Sequence, residues 1–432
     1  MATTYLRSID TPGAFERGFT IAVLLFLTGA FLNLIVEPGP NLTQSSGMIG
    51  MQIAWGIVYL IMFTLLFKHC PGFIRIFFRQ WWLVLLMALV LASATWSVVP
   101  GTTFRRGLSV ICTTFFGLYF ALRYDWATQL QLLRKMCLIA VVMSYIFGIL
   151  QIGHSVDDLR DVWIGIYSQK NGLGRMMVFS AMIFLLEGQT PGRSKMRMWM
   201  AIAASFVLIL LSKSSTSLGV FFLLLGFYLL RGNLRGSKRR VFAKLAFASS
   251  VSSLILYFVL RNLATVMALF KRDVTLTGRL YIWVLGTVMA LQKPWLGYGY
   301  SAFWLGPQGP SGKIWAALNW AAPGAHNGML ELWLDLGLAG VGLFIMGFLL
   351  YAWRAVAVFR SSQESVYSWP LIYLAFLVFM NFTESTLLSG NVIFWALYTS
   401  VAIDVSLPQL AEAVSEVRSR LLRQHNLVHG HA

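Results

Sequence analysis

Charge is what this chain has least of. Only 12% of its 432 residues are charged, where a soluble globular domain carries about 25%. A fold that meets water on all sides does not fit that composition. Acids are scarcest: 16 Asp and Glu stand against 34 Lys and Arg, a formal net charge of +18. Cysteine is nearly absent. Cys70, Cys112 and Cys137 lie in or beside apolar runs without motif spacing, which excludes a disulfide framework or a zinc ribbon. No basic, aromatic-interleaved module appears either, so nucleic acid is not an expected partner despite the charge. A cleavable leader is also missing. The first apolar run, Phe19 to Val36, is long enough to span a membrane and lacks a small-residue cleavage site, so it is read as a span.

Hydrophobic residues are abundant, at 58% of the chain with a mean hydropathy of +0.70. Apolar runs of roughly 17 to 22 residues recur, close to the length a bilayer core requires. Spans are expected near 18–36, 48–67, 81–99, 104–122, 136–153, 173–188, 197–212, 215–231, 241–260, 337–357, 367–384 and 389–405. The expected fold is an all-α polytopic membrane protein of about twelve transmembrane helices. Residues 1–260 would hold the first nine spans, 261–327 a large loop, 328–407 the last three spans and 408–432 a tail. With both termini cytoplasmic, most cations outside that loop fall on inside segments, among them Arg75, Arg79, Arg134, Lys135, Arg193, Lys195, Arg239 and Arg240. That agreement along the chain follows the positive-inside rule. No internal duplication is visible, which weighs against a transporter of two symmetric halves.

The loop 261–327 is unlike the rest. It carries Arg261, Lys271, Arg272, Arg279, Lys293 and Lys313, and Asp273 as its one acid before His326. Aromatic residues run through it, among them Trp283, Trp295, Tyr298, Trp304 and Trp320. Apolar spacing predicts a helix over 276–291, too short to span and suited to the interface. Pro294, Gly297, Gly299 and the Pro and Gly residues after them then break regular structure. A cationic, aromatic-rich loop at the mouth of an apolar bundle suggests an anionic, lipid-linked ligand that carries sugar.

Further cations sit on the outer face, against the orientation rule: Arg105, Arg106, Lys170, Arg175 and Lys213. A charge at a span's centre costs about 2.5–3.5 kcal/mol, and less near its end. Such residues face a cavity, meet a counter-charge or snorkel to the interface. Outer-face acids are few, Glu331, Asp335 and Glu384 among them. An anionic ligand accounts for the surplus of cations. Arginine's planar fork suits a diphosphate, and the leading candidates are Arg175, which opens an apolar span, and Arg279, which opens the loop helix. His326 is the one histidine in the loop and a candidate base near neutral pH; a structural interface histidine is the plainer reading. Asp157, Asp158 and Asp161 would suit a metal-dependent transferase, but the first outer loop offers only Glu37. No metal or cofactor is expected.

Several stretches resemble the bacterial O-antigen polymerase/ligase family (Wzy/WaaL-like), and within it the exopolysaccharide polymerases of the succinoglycan type. They are Ala94-Thr95-Trp96-Ser97 followed by Arg105-Arg106, Gly165 to Gly174 with Lys170-Asn171, and Ser212 to Ser217 with Lys213. They continue with Leu276-Thr277-Gly278-Arg279 and Trp283, Pro294-Trp295-Leu296-Gly297-Tyr298-Gly299, and His326-Asn327 with Glu331, Gly337 and Gly340. The resemblance covers 94–345. It implies a glycosyltransferase of the bacterial inner membrane, acting at the periplasmic face and using neither a nucleotide sugar nor a required metal. The donor would be a growing glycan on undecaprenyl diphosphate. Polymerases pass it to a lipid-linked repeat unit; ligases pass it to lipid A–core. Carried onto this chain, Arg175 and Arg279 would hold the diphosphate and His326 would activate the acceptor. Arg105, Arg106, Lys170, Asn171, Lys213, Trp283, Tyr298, Asn327 and Glu331 are the further substrate-binding candidates. Membrane lipid and a chain-length regulator are the other partners to expect. A lipid-linked oligosaccharide flippase is the rival of another class.

Overall fold

Apolar runs fold as helices because a segment removed from water must satisfy its own backbone N–H and C=O groups. The computed structural model describes residues 11–31, 45–70, 72–157, 162–190, 192–235 and 279–407. The helices are α1 (Ala14–Leu27), α2 (Ser45–His69), α3 (Phe73–Arg79), α4 (Trp81–Ala92), α5 (Pro100–Arg123), α6 (Trp126–Leu150) and α7 (Lys170–Glu187). They continue with α8 (Lys195–Leu211), α9 (Ser215–Leu230), α10 (Arg279–Gln292), α11 (Gly312–Leu318), α12 (Gly328–Ser361), α13 (Trp369–Asn381) and α14 (Ile393–Asp404). Every expected span among the described residues falls on a helix. The expected span 241–260, the first part of the loop at 261–278 and the tail 408–432 lie outside them.

Length separates these helices into two kinds. Among the described residues, Gly50–His69, Trp126–Leu150, Ser215–Arg235 and Gly328–Ser361 are long and apolar enough to cross a membrane. Phe73–Arg79 and Trp81–Thr95, bent by 87°, make a fifth if the pair is one span. The others are short, interrupted or more polar. Within the first expected span, 18–36, helix α1 ends at Leu27 and the chain turns through Gly29 (φ 76) and Phe31 (φ 64); residues 32–36 lie outside the described residues. α13 and α14 have 13 and 12 residues, well under the about 20 of a full crossing. Among the described residues four or five helices thus meet the length and hydropathy of a full crossing.

One departure from an all-α fold lies in an outer connector. Val156–Asp157 pairs antiparallel with Val162–Trp163. Gly148 makes room for it, since a Cβ there would lie 2.2 Å from the Trp163 ring.

α7 lies at the centre of the bundle, packed against α6, α8 and α9, and α14 packs along α5. Gly117 permits that approach, because a Cβ there would stand 2.3 Å from the Ala396 carbonyl oxygen. At the far end from the loop, buried Glu16 takes a two-pronged grip from Arg123, Nε to Oε1 at 2.6 Å and Nη2 to Oε2 at 2.8 Å. That pair fastens α1 to α5.

The late loop is tied to the bundle through a break in α12. Gly337 has φ 66 and ψ −169 in the middle of that helix, a region essentially reserved for glycine. The break exposes backbone groups, and residues 294–299 satisfy them. Tyr298 N donates to Leu334 O at 2.8 Å and Gly299 N to Asp335 O at 3.0 Å. In return, Leu338 N donates to Pro294 O at 2.8 Å and Ala339 N to Trp295 O at 3.1 Å. On its other side the same segment meets the turn before α5: Val98 N donates to Tyr298 O at 3.1 Å and Trp96 Nε1 to Leu296 O at 3.0 Å. A Cβ on Gly299 would meet Ser97 at 2.5 Å. Three stretches, 96–98, 294–299 and 334–339, thus form one three-layered contact. Around it Met289, Tyr298, Phe303, Ile314, Ala325 and Leu334 form a small core belonging to the loop itself.

Candidate functional site

Glu384 is the point on which the outer cations converge. It lies in the irregular segment between α13 and α14, and it is only 4% exposed. Its place is set locally. Glu384 N donates to Met380 O at 3.0 Å. The Asn381 side chain ties the turn together, taking Thr386 N at 2.8 Å and donating to Thr386 Oγ1 at 2.9 Å. Irregular backbone at such depth persists where protein surrounds it or a cavity adjoins it.

Three elements bring side chains to this carboxylate. From α10, Arg279 Nη2 reaches Oε1 at 3.0 Å, while its Nη1 donates to Thr216 Oγ1 at the start of α9 at 3.1 Å. From the first turn of α7, Asn171 Nδ2 donates to the same Oε1 at 3.0 Å. Asn171 Oδ1 accepts in turn from Ser214 Oγ at 3.0 Å. Arg175, one turn further along α7, places Nη1 3.7 Å from Oε2, beyond hydrogen-bond range. Its guanidinium lies over the Phe394 ring at 5.3 Å, and its buried Nε has no hydrogen-bond partner. From the end of the loop, His326 Nδ1 stands 4.0 Å from Oε2.

These charges do not cancel. Burial pushes the His326 imidazole below its ordinary value; Glu384 pulls it partly back up and Arg279 opposes that pull. With His326 neutral, two guanidinium groups share one carboxylate, and the cluster keeps one positive charge. A buried guanidinium whose donors are only partly used, as in Arg175, has donors left over.

An apolar groove of about 280 Å³ begins beside His326, at Asn327 and Met329. It runs between α12 and α13, past Phe344, Phe348, Leu377 and Val378. A second groove, of about 260 Å³ and lined by Trp283, Thr287 and Trp333, reaches the same Asn327 and Met329 from the α10 side. Neither groove is lined by Arg175, Arg279, His326 or Glu384; Asn327, next in sequence to His326, lines both.

The other expected binding residues scatter. Arg106 turns to the loop, Nη1 donating to Ser301 O at 2.7 Å and Ser301 Oγ at 2.9 Å. Arg105 and Lys213 are exposed, and Lys170 opens α7 half-buried. Tyr298 is buried and donates its hydroxyl to Met289 O at 3.0 Å, so its ring packs inside the loop. Trp283 donates to Ala325 O at 3.0 Å. Asn327 caps α12, its side chain accepting from Met329 N at 3.1 Å and Leu330 N at 3.0 Å. Glu331 Oε2 accepts from Ala325 N at 2.7 Å. Besides Phe394 under Arg175, Trp320 lies near the cluster, nearly parallel to His326 with centroids 6.3 Å apart. Glu384 was legible only as one of a few outer acids just past an expected span. Nothing in the sequence marked it as central.

A membrane-embedded helical protein with a cationic cluster at one end of its helices is the class that fold and site define. The family described as O-antigen ligase matches residues 199–345. That match takes in Arg279, His326 and Glu331 but neither Arg175 nor Glu384. The chain is also similar to the exopolysaccharide production protein ExoQ of Rhizobium meliloti, 24% identical over 265 residues, 58% of this chain. It spans 59% of that protein's length. The two findings bear out the resemblance to the O-antigen polymerase/ligase family.

Proposed function

We propose that this protein is a glycan polymerase of the bacterial inner membrane. It transfers a growing glycan from undecaprenyl diphosphate to a lipid-linked repeat unit at the periplasmic face. In this reading the chain crosses the membrane twelve times with both termini cytoplasmic, and 261–327 lies between spans nine and ten. A chain-length regulator is a partner to test. The observation that carries the reading is the meeting of Arg175, Arg279 and His326 at one buried carboxylate, with an apolar groove opening at the adjacent Asn327.

The chemistry follows from that meeting. The diphosphate lies against Arg175 and Arg279, and its polyprenyl tail enters the groove between α12 and α13. His326, neutral, takes the proton of the acceptor hydroxyl. The hydroxyl oxygen forms a bond to the anomeric carbon as the bond from that carbon to the diphosphate oxygen breaks. Undecaprenyl diphosphate leaves with the bonding electrons, and the two guanidinium groups take up the charge that develops. Fixed cations help most where charge appears in the transition state. A single displacement inverts the anomeric centre.

The description of the matching family favours a second reading, in which the same site passes glycan to lipid A–core. Purified full-length protein given lipid-linked repeat units alone separates the two. A ladder of lengthening products, abolished in His326→Ala, is the expected result. Product only when lipid A–core is added supports the ligase reading. Transport of the lipid-linked unit across vesicles with no new glycosidic bond overturns both.

A further inference from the structure

His326 has a left-handed backbone, at φ 49. A non-glycine residue keeps that conformation only where its surroundings over-determine it. Here both neighbouring peptide groups are held. Before it, Ala325 N donates to Glu331 Oε2 at 2.7 Å and Ala325 O accepts from Trp283 Nε1 at 3.0 Å. After it, Asn327 N donates to Ser385 Oγ at 3.1 Å. Ser385 Oγ in turn donates to the same Glu331 Oε2 at 3.4 Å. The amides on either side of His326 therefore lead to one carboxylate oxygen, one directly and one through a hydroxyl.

The anchors are well placed for this. Glu331 lies in the first turn of α12, whose start is fixed by the Asn327 cap. Ser385 adjoins Glu384, so the segment that holds the backbone of His326 also carries the carboxylate facing its ring. A Cβ on Gly324 would stand 3.4 Å from Glu331 Oε2, and a larger residue there would crowd the same oxygen.

We infer that Glu331, with Ser385 as its relay, is the positioning residue for His326. It locks the left-handed turn that sets the imidazole 4.0 Å from Glu384. This reassigns Glu331 from a substrate-binding candidate to a backbone clamp. The inference rests on the proposed role of His326 as acceptor base.

The test uses full-length protein in detergent, with kcat and KM for chain lengthening of lipid-linked repeat units. Glu331→Ala lowers kcat about 10- to 100-fold, the equivalent of one hydrogen bond to a charged group. KM stays unchanged, because the diphosphate contacts are intact. Glu331→Gln restores most of the rate, since its amide oxygen accepts the same two bonds. Ser385→Ala, a milder change that keeps the test open if Glu331→Ala does not fold, lowers kcat roughly 3- to 10-fold for one neutral hydrogen bond. Wild-type kcat in Ser385→Ala, or a raised KM with no rescue in Glu331→Gln, overturns the clamp. A fully active His326→Ala protein overturns the proposed function itself. An impaired His326→Ala with unaffected Glu331 and Ser385 variants overturns only the clamp.

Discussion

Arg279→Ala removes the one side chain that reaches both Thr216 and Glu384, at 3.1 and 3.0 Å. Stability and turnover should then respond differently. Breaking a buried ion pair by deleting one partner costs about 3–5 kcal/mol, because the other charge is left behind. Glu384 keeps Asn171 at 3.0 Å and Arg175 at 3.7 Å, which places the loss near the lower figure. Changing Glu384 to Gln in the same protein removes that carboxylate but leaves the buried Arg175, 3.7 Å away, without its counter-charge. The double variant should therefore recover only part of the lost stability, read as the unfolding midpoint in detergent. Turnover should not recover. The leaving diphosphate still lacks one cation, worth about 1.5–3 kcal/mol as a hydrogen bond to a charged group, or about 10- to 100-fold in rate. Arg279→Lys keeps the charge but loses the fork, and should fall between wild type and Arg279→Ala. A single variant turning over at the wild-type rate refutes the reasoning. So does a double variant whose activity returns with its stability.

Three further expectations follow from other parts of the molecule. Turnover should rise with pH to a plateau, with a midpoint below the ordinary 6.5 because burial lowers His326; Glu384→Gln, which removes the upward pull, should move that midpoint further to acid, and a midpoint above 6.5 contradicts the assignment. Gly337→Ala should lower the unfolding midpoint sharply, since its Cβ would lie 2.2 Å from the Trp295 carbonyl carbon, and strain plus overpacking cost about 2–6 kcal/mol; a stable variant would mean that the break in α12 is not fixed by that contact. Val378→Trp narrows the groove between α12 and α13 and should raise KM for a long-chain polyprenyl donor more than for a short-chain analogue; equal effects on both would place the lipid tail elsewhere.

Hydropathy located the helices well because burial in lipid leaves a long, readable signature. Among the described residues, the irregular segment holding Glu384 separates two short helices, α13 and α14. Loop helix α10 was visible in its spacing. The motifs around Trp96 and Gly297 were visible as resemblances, but their mutual packing was not, since no local rule relates residues 200 positions apart.

By itself the sequence determined the medium. Scarce charge and recurring apolar runs dictate helices in a membrane; the anion its cations would hold belongs to the proposed function. Only the tertiary structure decided which cations act together. Arg175 and Arg279 met His326 through Glu384, while Arg106 turned to Ser301 and Tyr298 turned into the loop core. The reason is distance: a buried charge is governed by what lies within a few ångströms of it, and that is set by how helices pack, not by their order along the chain.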